Sequence, residues 1–225
     1  MDAIRLALLA ALLTGVDLAG FASPPADVPA LAGTPLTADE LAAFQTEYAD
    51  HRLTPAGWTG NFRQEARSPD LLTPITSAGN LVYRAPGALE LDYTDPVAGE
   101  VWVHDDQAGQ KFAGRPPQAA AAPLVRSLRD FFRLPPVAWE KMYTVEATRD
   151  QTTVQIRLTV KPGAPAGQPA RIDLEINPVT RDPQRLEITF SNQVALAFYF
   201  SNWQTLPPDH ATATTAPGPA ISPAR

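Results

Sequence analysis

Apolar and polar residues alternate along many segments of this chain, so that each segment has one apolar and one polar side. In segment 153–160, the polar side carries threonine, glutamine and arginine, and the apolar side consists of Val154, Ile156, Leu158 and Val160. The same period of two recurs at 58–64, 89–93, 172–176 and 186–190. This pattern is typical of an antiparallel sheet with a single solvated face.

Turn residues divide the alternating segments into ten predicted strands. We expect them at about 58–66, 77–84, 88–94, 100–104, a short one near Lys111, 143–148, 152–160, 170–177, 185–191 and 194–202. The Asp150-Gln151 step predicts a tight hairpin.

Two amphipathic helices are predicted beside these strands. Thr37 is a good N-cap, Glu40 completes a capping box, and the pattern continues as a helix over about 38–50. A second helix is expected to begin at Pro123 and to end before the prolines at 135 and 136. The fold class is therefore α+β, mainly β. Because two modest helices cannot cover so many strands, the apolar side of the sheet must curl onto itself, meet a second sheet or hold a hydrophobic guest.

The composition indicates one globular domain. The chain has 225 residues, of which 44% are hydrophobic. We predict a signal peptide at 1–22, a Pro/Ala-rich linker at 23–35, one domain at 36–208 and a disordered tail at 209–225. The net charge is -6 and no cluster of basic residues occurs, so nucleic acid is a poor candidate partner.

The first 22 residues favour export. Arg5 precedes the apolar run 6–13, and Gly20 and Ala22 fit a cleavage site near Ala22. The alternative is a buried or membrane-anchoring helix, although the run is shorter than the roughly 20 residues that span a bilayer. Cysteine is absent, which excludes disulfides, cysteine nucleophiles and a lipidated cysteine.

The sequence contains no recognisable catalytic motif. The three histidines have no metal-ligand spacing, and the cluster His104-Asp105-Asp106 is either a weak metal or acid/base site or a polar turn at a strand end. We therefore predict no enzyme activity, no catalytic residue, no metal site and no cofactor.

Aromatic and aliphatic residues on the apolar sides of the strands suggest a lined cavity. The predicted lining residues are Trp58, Phe62, Leu81, Tyr83, Leu89, Leu91, Tyr93, Ile156, Leu158, Leu174, Ile188 and Phe190. Trp102, Tyr199 and Phe200 belong to the same aromatic set, whose alternative role is ordinary core. A lid over this cavity is predicted from the second helix and the segment after it, with Leu128, Phe131, Phe132 and Trp139 as its apolar residues.

Three stretches of the chain resemble the outer-membrane lipoprotein carrier protein (LolA) family and its LolA-like relatives. They are Phe62-x-Gln64, the segment Ala78 to Pro86 and Tyr93-Thr94-Asp95-Pro96. The strand 186–190, Phe198-Tyr199-Phe200 and Leu206-Pro207-Pro208 are similar to the end of that family. The resemblance spans about 36–208, and it depends on the order and spacing of short motifs.

The resemblance implies an unclosed antiparallel half β-barrel covered by two or three helices. It also implies a monomeric periplasmic carrier that accepts acylated lipoproteins, or a related lipid, from an inner-membrane exporter and delivers them to an outer-membrane acceptor. The family's strand-end arginine, linked there to lid closure, would fall on Arg84 at the rim, although Ala85 stands between Arg84 and Pro86. The turn at His104 to Gly109 also departs from the family pattern. The alternative function is a lipid- or lipoprotein-binding envelope sensor or scaffold that carries nothing.

Carriage requires moderate affinity. Burial of acyl chains yields about 0.8 kcal/mol per methylene, so full engulfment would prevent release. We expect a dry trough that the polypeptide leaves unfilled, and a lid whose closed form packs its own phenylalanines into the groove and competes with cargo.

Overall fold

The protein is described from a computed structural model. The structure describes residues 29–53, 56–85, 87–105, 107–113, 118–119, 128–129, 131–132, 136–164, 168–191 and 193–207. The predicted signal peptide, the tail and the start of the second helix lie outside these residues.

Within the described residues, twelve strands form one antiparallel sheet. In chain order they are β1 (Thr34–Pro35), β2 (Gly57–Arg67), β3 (Ile75–Arg84), β4 (Ala88–Asp95), β5 (Gly99–His104), β6 (Gln107–Phe112), β7 (Gln118–Ala119), β8 (Tyr143–Arg149), β9 (Val154–Val160), β10 (Arg171–Ile176), β11 (Pro183–Thr189) and β12 (Ala195–Thr205). Their order across the sheet is β1-β8-β9-β10-β11-β12-β2-β3-β4-β5-β6-β7. Strands β1 and β7 stand at opposite edges, so the sheet is an unclosed half-barrel, as predicted.

The register places β2, an early strand of the chain, beside β12, the last strand. Phe62 of β2 pairs with Phe200 of β12, and Trp58 pairs with Tyr83 of β3. Because directly paired residues point to the same side of a sheet, these four aromatic residues share one side. We call this side the inner face and the opposite side the outer face.

Helix α1 (Ala38–Leu53) lies on the inner face. Its predicted capping box is present, since the backbone N–H of Thr37 donates to Glu40 Oε2 at 2.9 Å and the N–H of Glu40 donates to Thr37 Oγ1 at 3.3 Å. Phe44 and Tyr48 are buried from the same stripe of the helix. The helix continues three residues beyond the predicted end at Asp50, because Arg52 is buried against the sheet.

Further covering elements come from the segment between β7 and β8. Leu128, Arg129, Phe131 and Phe132 are helical, and a 3-10 helix spans Pro136–Lys141. The sequence did not predict the 3-10 helix, because its two prolines indicate only that the preceding helix ends. The covering elements and the inner face form one hydrophobic cluster.

The last residues of the predicted linker pack on the sheet. Thr34 and Pro35 form β1 beside β8, and the Ala32 N–H donates to the side-chain carbonyl of Gln155 at 3.2 Å. Arg157 donates to the carbonyl of Pro29 at 2.6 Å. The chain therefore runs over the outer face of β9 before it reaches α1 on the inner face.

Candidate ligand-binding face of the sheet

The inner face carries all twelve residues predicted to line a cavity. Each is buried, with at most 4% of its surface exposed, and all belong to the single hydrophobic cluster. Alternation along each strand explains this outcome, since every second side chain points to the same face. The cluster also contains Phe44 and Tyr48 of α1 and Leu196 and Phe198 of β12, and the predicted set omits these four residues.

Two aromatic residues of the predicted set lie on the outer face instead. Trp102 stands between the buried Val101 and Val103, and its ring covers Gly109, where an added Cβ would come within 2.1 Å of the indole. Tyr199 stands between Phe198 and Phe200, and the guanidinium of Arg63 lies 4.2 Å from its ring centroid. The strand period therefore overrides their aromatic character.

The lid residues Leu128, Phe131, Phe132 and Trp139 are buried against the inner face. The ring centroid of Phe132 lies 5.7 Å from that of Tyr83, 6.1 Å from that of Phe200 and 6.0 Å from that of Trp203. Phe131 contacts the ring of Tyr48 on α1 at 6.4 Å and stacks on Trp139 at 5.9 Å. The lid rings therefore join the helix to strands β3 and β12.

The polypeptide itself therefore fills the trough. This finding corrects the expectation, made from the sequence, that the trough would be unfilled. Rings from the lid and from α1 occupy the space above β2, β3 and β12. An apolar surface exposed to water would cost about 25 cal/mol per Å², so the chain's own aromatic residues cover it.

A cavity of about 280 Å³ lies on the outer face. It is lined by the segment 29–32 and by charged residues of β9, β10 and β11, with arginines and carboxylates in equal numbers: Arg157, Arg171, Arg185, Asp173, Glu175 and Glu187. The charges pair across strands, as in the contact of Arg157 Nε with Asp173 Oδ1 at 2.6 Å. Such a lining does not suit an acyl chain.

Arg52 anchors the C-terminal end of α1. Its guanidinium lies 4.6 Å from the ring centroid of Trp58 and 4.7 Å from that of Trp203, and one nitrogen lies 3.4 Å from Asp182 Oδ1. Trp58 donates its indole N–H to the carbonyl of Arg52 at 3.4 Å. Cation–π contacts of a desolvated arginine contribute about 2 kcal/mol, so these contacts fix the helix on the sheet.

Burial shifts the titration of the groups near this anchor. Burial lowers the pKa of Arg52 and raises the pKa of Tyr48 to about 12. Burial, followed by the positive charge of Arg52, also lowers the pKa of His51. The pKa shifts of Tyr48 and His51 therefore favour the neutral forms of both side chains on α1.

Arg84, the predicted rim residue, lies at the end of β3 and is partly buried. Its NH1 donates to Glu90 Oε2 at 2.9 Å, and the other oxygen of Glu90 lies 3.1 Å from His104 Nε2. His104 is thus brought to Glu90 and Arg84 on the outer face. Among the described residues, no group of three metal-ligating side chains is close enough to hold an ion.

Two polar residues on the inner face, Gln64 and Ser77, are absent from the predicted lining set. Gln64, Ser77 and Tyr93 are buried, and the Tyr93 hydroxyl donates to Gln64 Oε1 at 2.6 Å. Gln64 and Ser77 occupy positions where the alternation demands an inward side chain, which is the signal that could have identified them. Burial alone raises the pKa of Tyr93.

No protein-family model matches this chain, and no curated protein matches its sequence. Solved structures are similar to it over most of its length. A LolA superfamily protein of Nitrosomonas europaea is 8% identical with a TM-score of 0.39, over 75% of this chain and 95% of that one.

Two further structures show the same kind of similarity. A domain of an outer membrane lipoprotein-sorting protein of Vibrio parahaemolyticus, described as putative, is 7% identical with a TM-score of 0.40, over 76% of this chain and 95% of that one. The MucA/MucB complex of Pseudomonas aeruginosa gives 14% identity and a TM-score of 0.43, over 76% of this chain and 60% of that one. The open half-barrel itself is established by the strand order and register given above.

Within the described part of the chain, no helix combines the length and apolar character that a bilayer crossing requires.

Proposed function

We propose that this protein is a periplasmic carrier that binds the acyl chains of lipoproteins, or of a related lipid, on the inner face of its half-barrel. It would take this cargo from an inner-membrane exporter and deliver it to an outer-membrane acceptor. One observation carries the proposal: separate covering elements, and not a second sheet, fill the apolar trough with Phe131 and Phe132. Elements of this kind can leave the trough without breaking any strand pairing.

The energetics of exchange support a carrier with a competing lid. Burial of fifteen methylenes yields roughly 12 kcal/mol at about 0.8 kcal/mol each, which corresponds to a dissociation constant of about 1 nM. A cargo must first displace the lid rings, and the lost ring contacts subtract from this affinity. The net affinity is then low enough for the cargo to be passed on.

Removal of the lid rings tests the proposal. In Phe131→Ala and Phe132→Ala, the closed lid loses contacts with Tyr48 and Tyr83, so a palmitoylated fluorescent peptide should bind about tenfold more tightly and dissociate more slowly. Tyr199→Ala is the matched control, because this ring lies on the outer face. Unchanged affinity and release rate in both lid variants would contradict the competing lid.

The second candidate is a non-carrying envelope sensor or scaffold that binds lipids or lipoproteins. The filled trough is the observation that favours this candidate, because a protein whose lid stays closed would have the same structure. Native mass spectrometry of the protein recovered from the periplasm shows whether acylated species are bound, and incubation of the loaded protein with acceptor vesicles then distinguishes the two. Transfer of the bound species to the vesicles supports the carrier, whereas its retention supports the scaffold.

A further inference from the structure

Three polar side chains lie together on the inner face. Gln64 of β2 is 0% exposed, Ser77 of β3 is 1% exposed and Tyr93 of β4 is 2% exposed. Gln64 and Ser77 are direct cross-strand partners. We call these three residues the inner polar cluster.

The surroundings of this cluster are aromatic. The ring of Phe62 lies 5.1 Å from that of Tyr93 and 6.1 Å from that of Phe198, which is the partner of Gln64 on β12. The ring of Phe112 lies 5.9 Å from Tyr93 on the other side. The cluster is therefore a set of polar groups within a hydrocarbon floor.

The hydrogen bonds of the cluster are incomplete. The Tyr93 hydroxyl donates to Gln64 Oε1, but Gln64 Nε2 and Ser77 Oγ have no hydrogen-bond partner among the described residues. Exchange of the oxygen and nitrogen of the Gln64 amide would not help, because one end of the amide would still be unpaired. A buried polar group without a partner lowers stability by about 1–3 kcal/mol. We therefore expect these groups to hydrogen-bond to a molecule other than the protein.

The position of the inner polar cluster along the groove determines which way a bound acyl chain points. Ser77 precedes Tyr83 by six residues on β3, which is about 20 Å at about 3.3 Å per residue. Tyr83 is the residue on which the lid ring of Phe132 stacks. A chain that displaces the lid rings and lies along β3 would therefore have one end under the lid and the other end at the polar groups.

We propose that Gln64 and Ser77 bind the carbonyl oxygen of an acyl ester and so fix the head of the acyl chain in the groove. This inference rests on the proposed function. An amide N–H and a hydroxyl are donors, and an ester carbonyl is an acceptor attached directly to an aliphatic chain. Both donors are uncharged, so they favour a neutral carbonyl over the carboxylate of a free fatty acid, whose desolvation they do not offset.

The test compares ester-linked and ether-linked lipids of equal chain length, with a free fatty acid of the same length as a third ligand. The full chain should bind the ester about tenfold more tightly than the ether, because the ether lacks the carbonyl. In Gln64→Leu this preference should fall to near one while the affinity for the ether is unchanged. Ser77→Ala should reduce the preference in part.

Two outer-face variants are the controls. Asn80→Leu and Thr76→Ala change exposed polar residues of β3 next to the same strand pairing, and both should keep the full preference for the ester. Circular dichroism verifies the fold of every variant, and Ser77→Ala keeps the test decisive should Gln64→Leu fail to fold.

The outcomes separate the inference from the function. Equal affinity of the unaltered chain for ester and ether overturns the carbonyl site and leaves the carrier intact, since a buried water would then satisfy the cluster. Tighter binding of the free fatty acid than of the ester overturns the assignment to an ester. Failure of all three lipids to bind overturns the proposed function itself.

Discussion

The side chains on the two faces of the sheet find their contacts in different ways. On the outer face, neighbouring strands pair opposite charges, as in Arg157 Nε to Asp173 Oδ1 at 2.6 Å and Arg185 NH1 to Glu175 Oε1 at 2.8 Å. On the inner face, hydrocarbon side chains have no such partners within the sheet. They need cover from elements that the sheet does not contain.

This difference assigns separate roles to sheet and cover. The outer-face ion pairs link neighbouring strands, so they do not depend on what covers the inner face. The cover consists of α1, the lid residues and the 3-10 helix, which contact the sheet through side chains such as Phe132 and Arg52. An acyl chain can replace side-chain contacts but not strand hydrogen bonds, so the proposed function requires the lid residues of the cover to exchange with a ligand.

Adjacent residues of β10 test the comparison with the largest expected effect. Leu174→Ala removes a fully buried inner-face side chain and should lower the free energy of unfolding by about 2–5 kcal/mol. Glu175→Ala removes an ion pair with Arg185 on the outer face and should cost about 1 kcal/mol or less. Urea denaturation monitored by tryptophan fluorescence measures both values, and equal losses would contradict the division between the faces.

The N-terminus of α1 tests the cover with a smaller effect. Thr37→Ala removes the cap that accepts from the Glu40 N–H, and should lower the free energy of unfolding by about 1 kcal/mol. Thr46→Ala is the control, because this residue lies within the helix, where its hydroxyl bonds only to the carbonyl of Ala42 and alanine is the better helix former. A loss in Thr46→Ala as large as that in Thr37→Ala would show that the cap does not hold the helix.

The sequence predicts the strands and the inner face well, because a period of two assigns each residue to a side without knowledge of its neighbours. The ten predicted strands are all present, and Leu81, Ile156 and Leu174 are buried as expected. The short edge strands β1 and β7 were not predicted, since two residues are too few to show a period.

The contacts between distant segments were beyond the sequence pattern. Arg52 between Trp58 and Trp203, and Gln64 beneath Tyr93, depend on which strands become neighbours and on how α1 crosses them. A polar residue in an apolar position was visible at Gln64, but its unpaired amide follows only from the packed structure. The lid residues were predicted from the second helix and the segment after it, whereas their filling of the trough required the ring geometry.

The central claim is that acyl chains bind on the inner face in place of the lid rings. Brominated acyl lipids quench tryptophan fluorescence at short range, and the chain has four tryptophans, at 58, 102, 139 and 203. A variant that keeps only Trp58, on the inner face, should be quenched by a brominated acyl ester, whereas one that keeps only Trp102, on the outer face, should not. Quenching of Trp102 alone, or of both residues equally, would contradict the account.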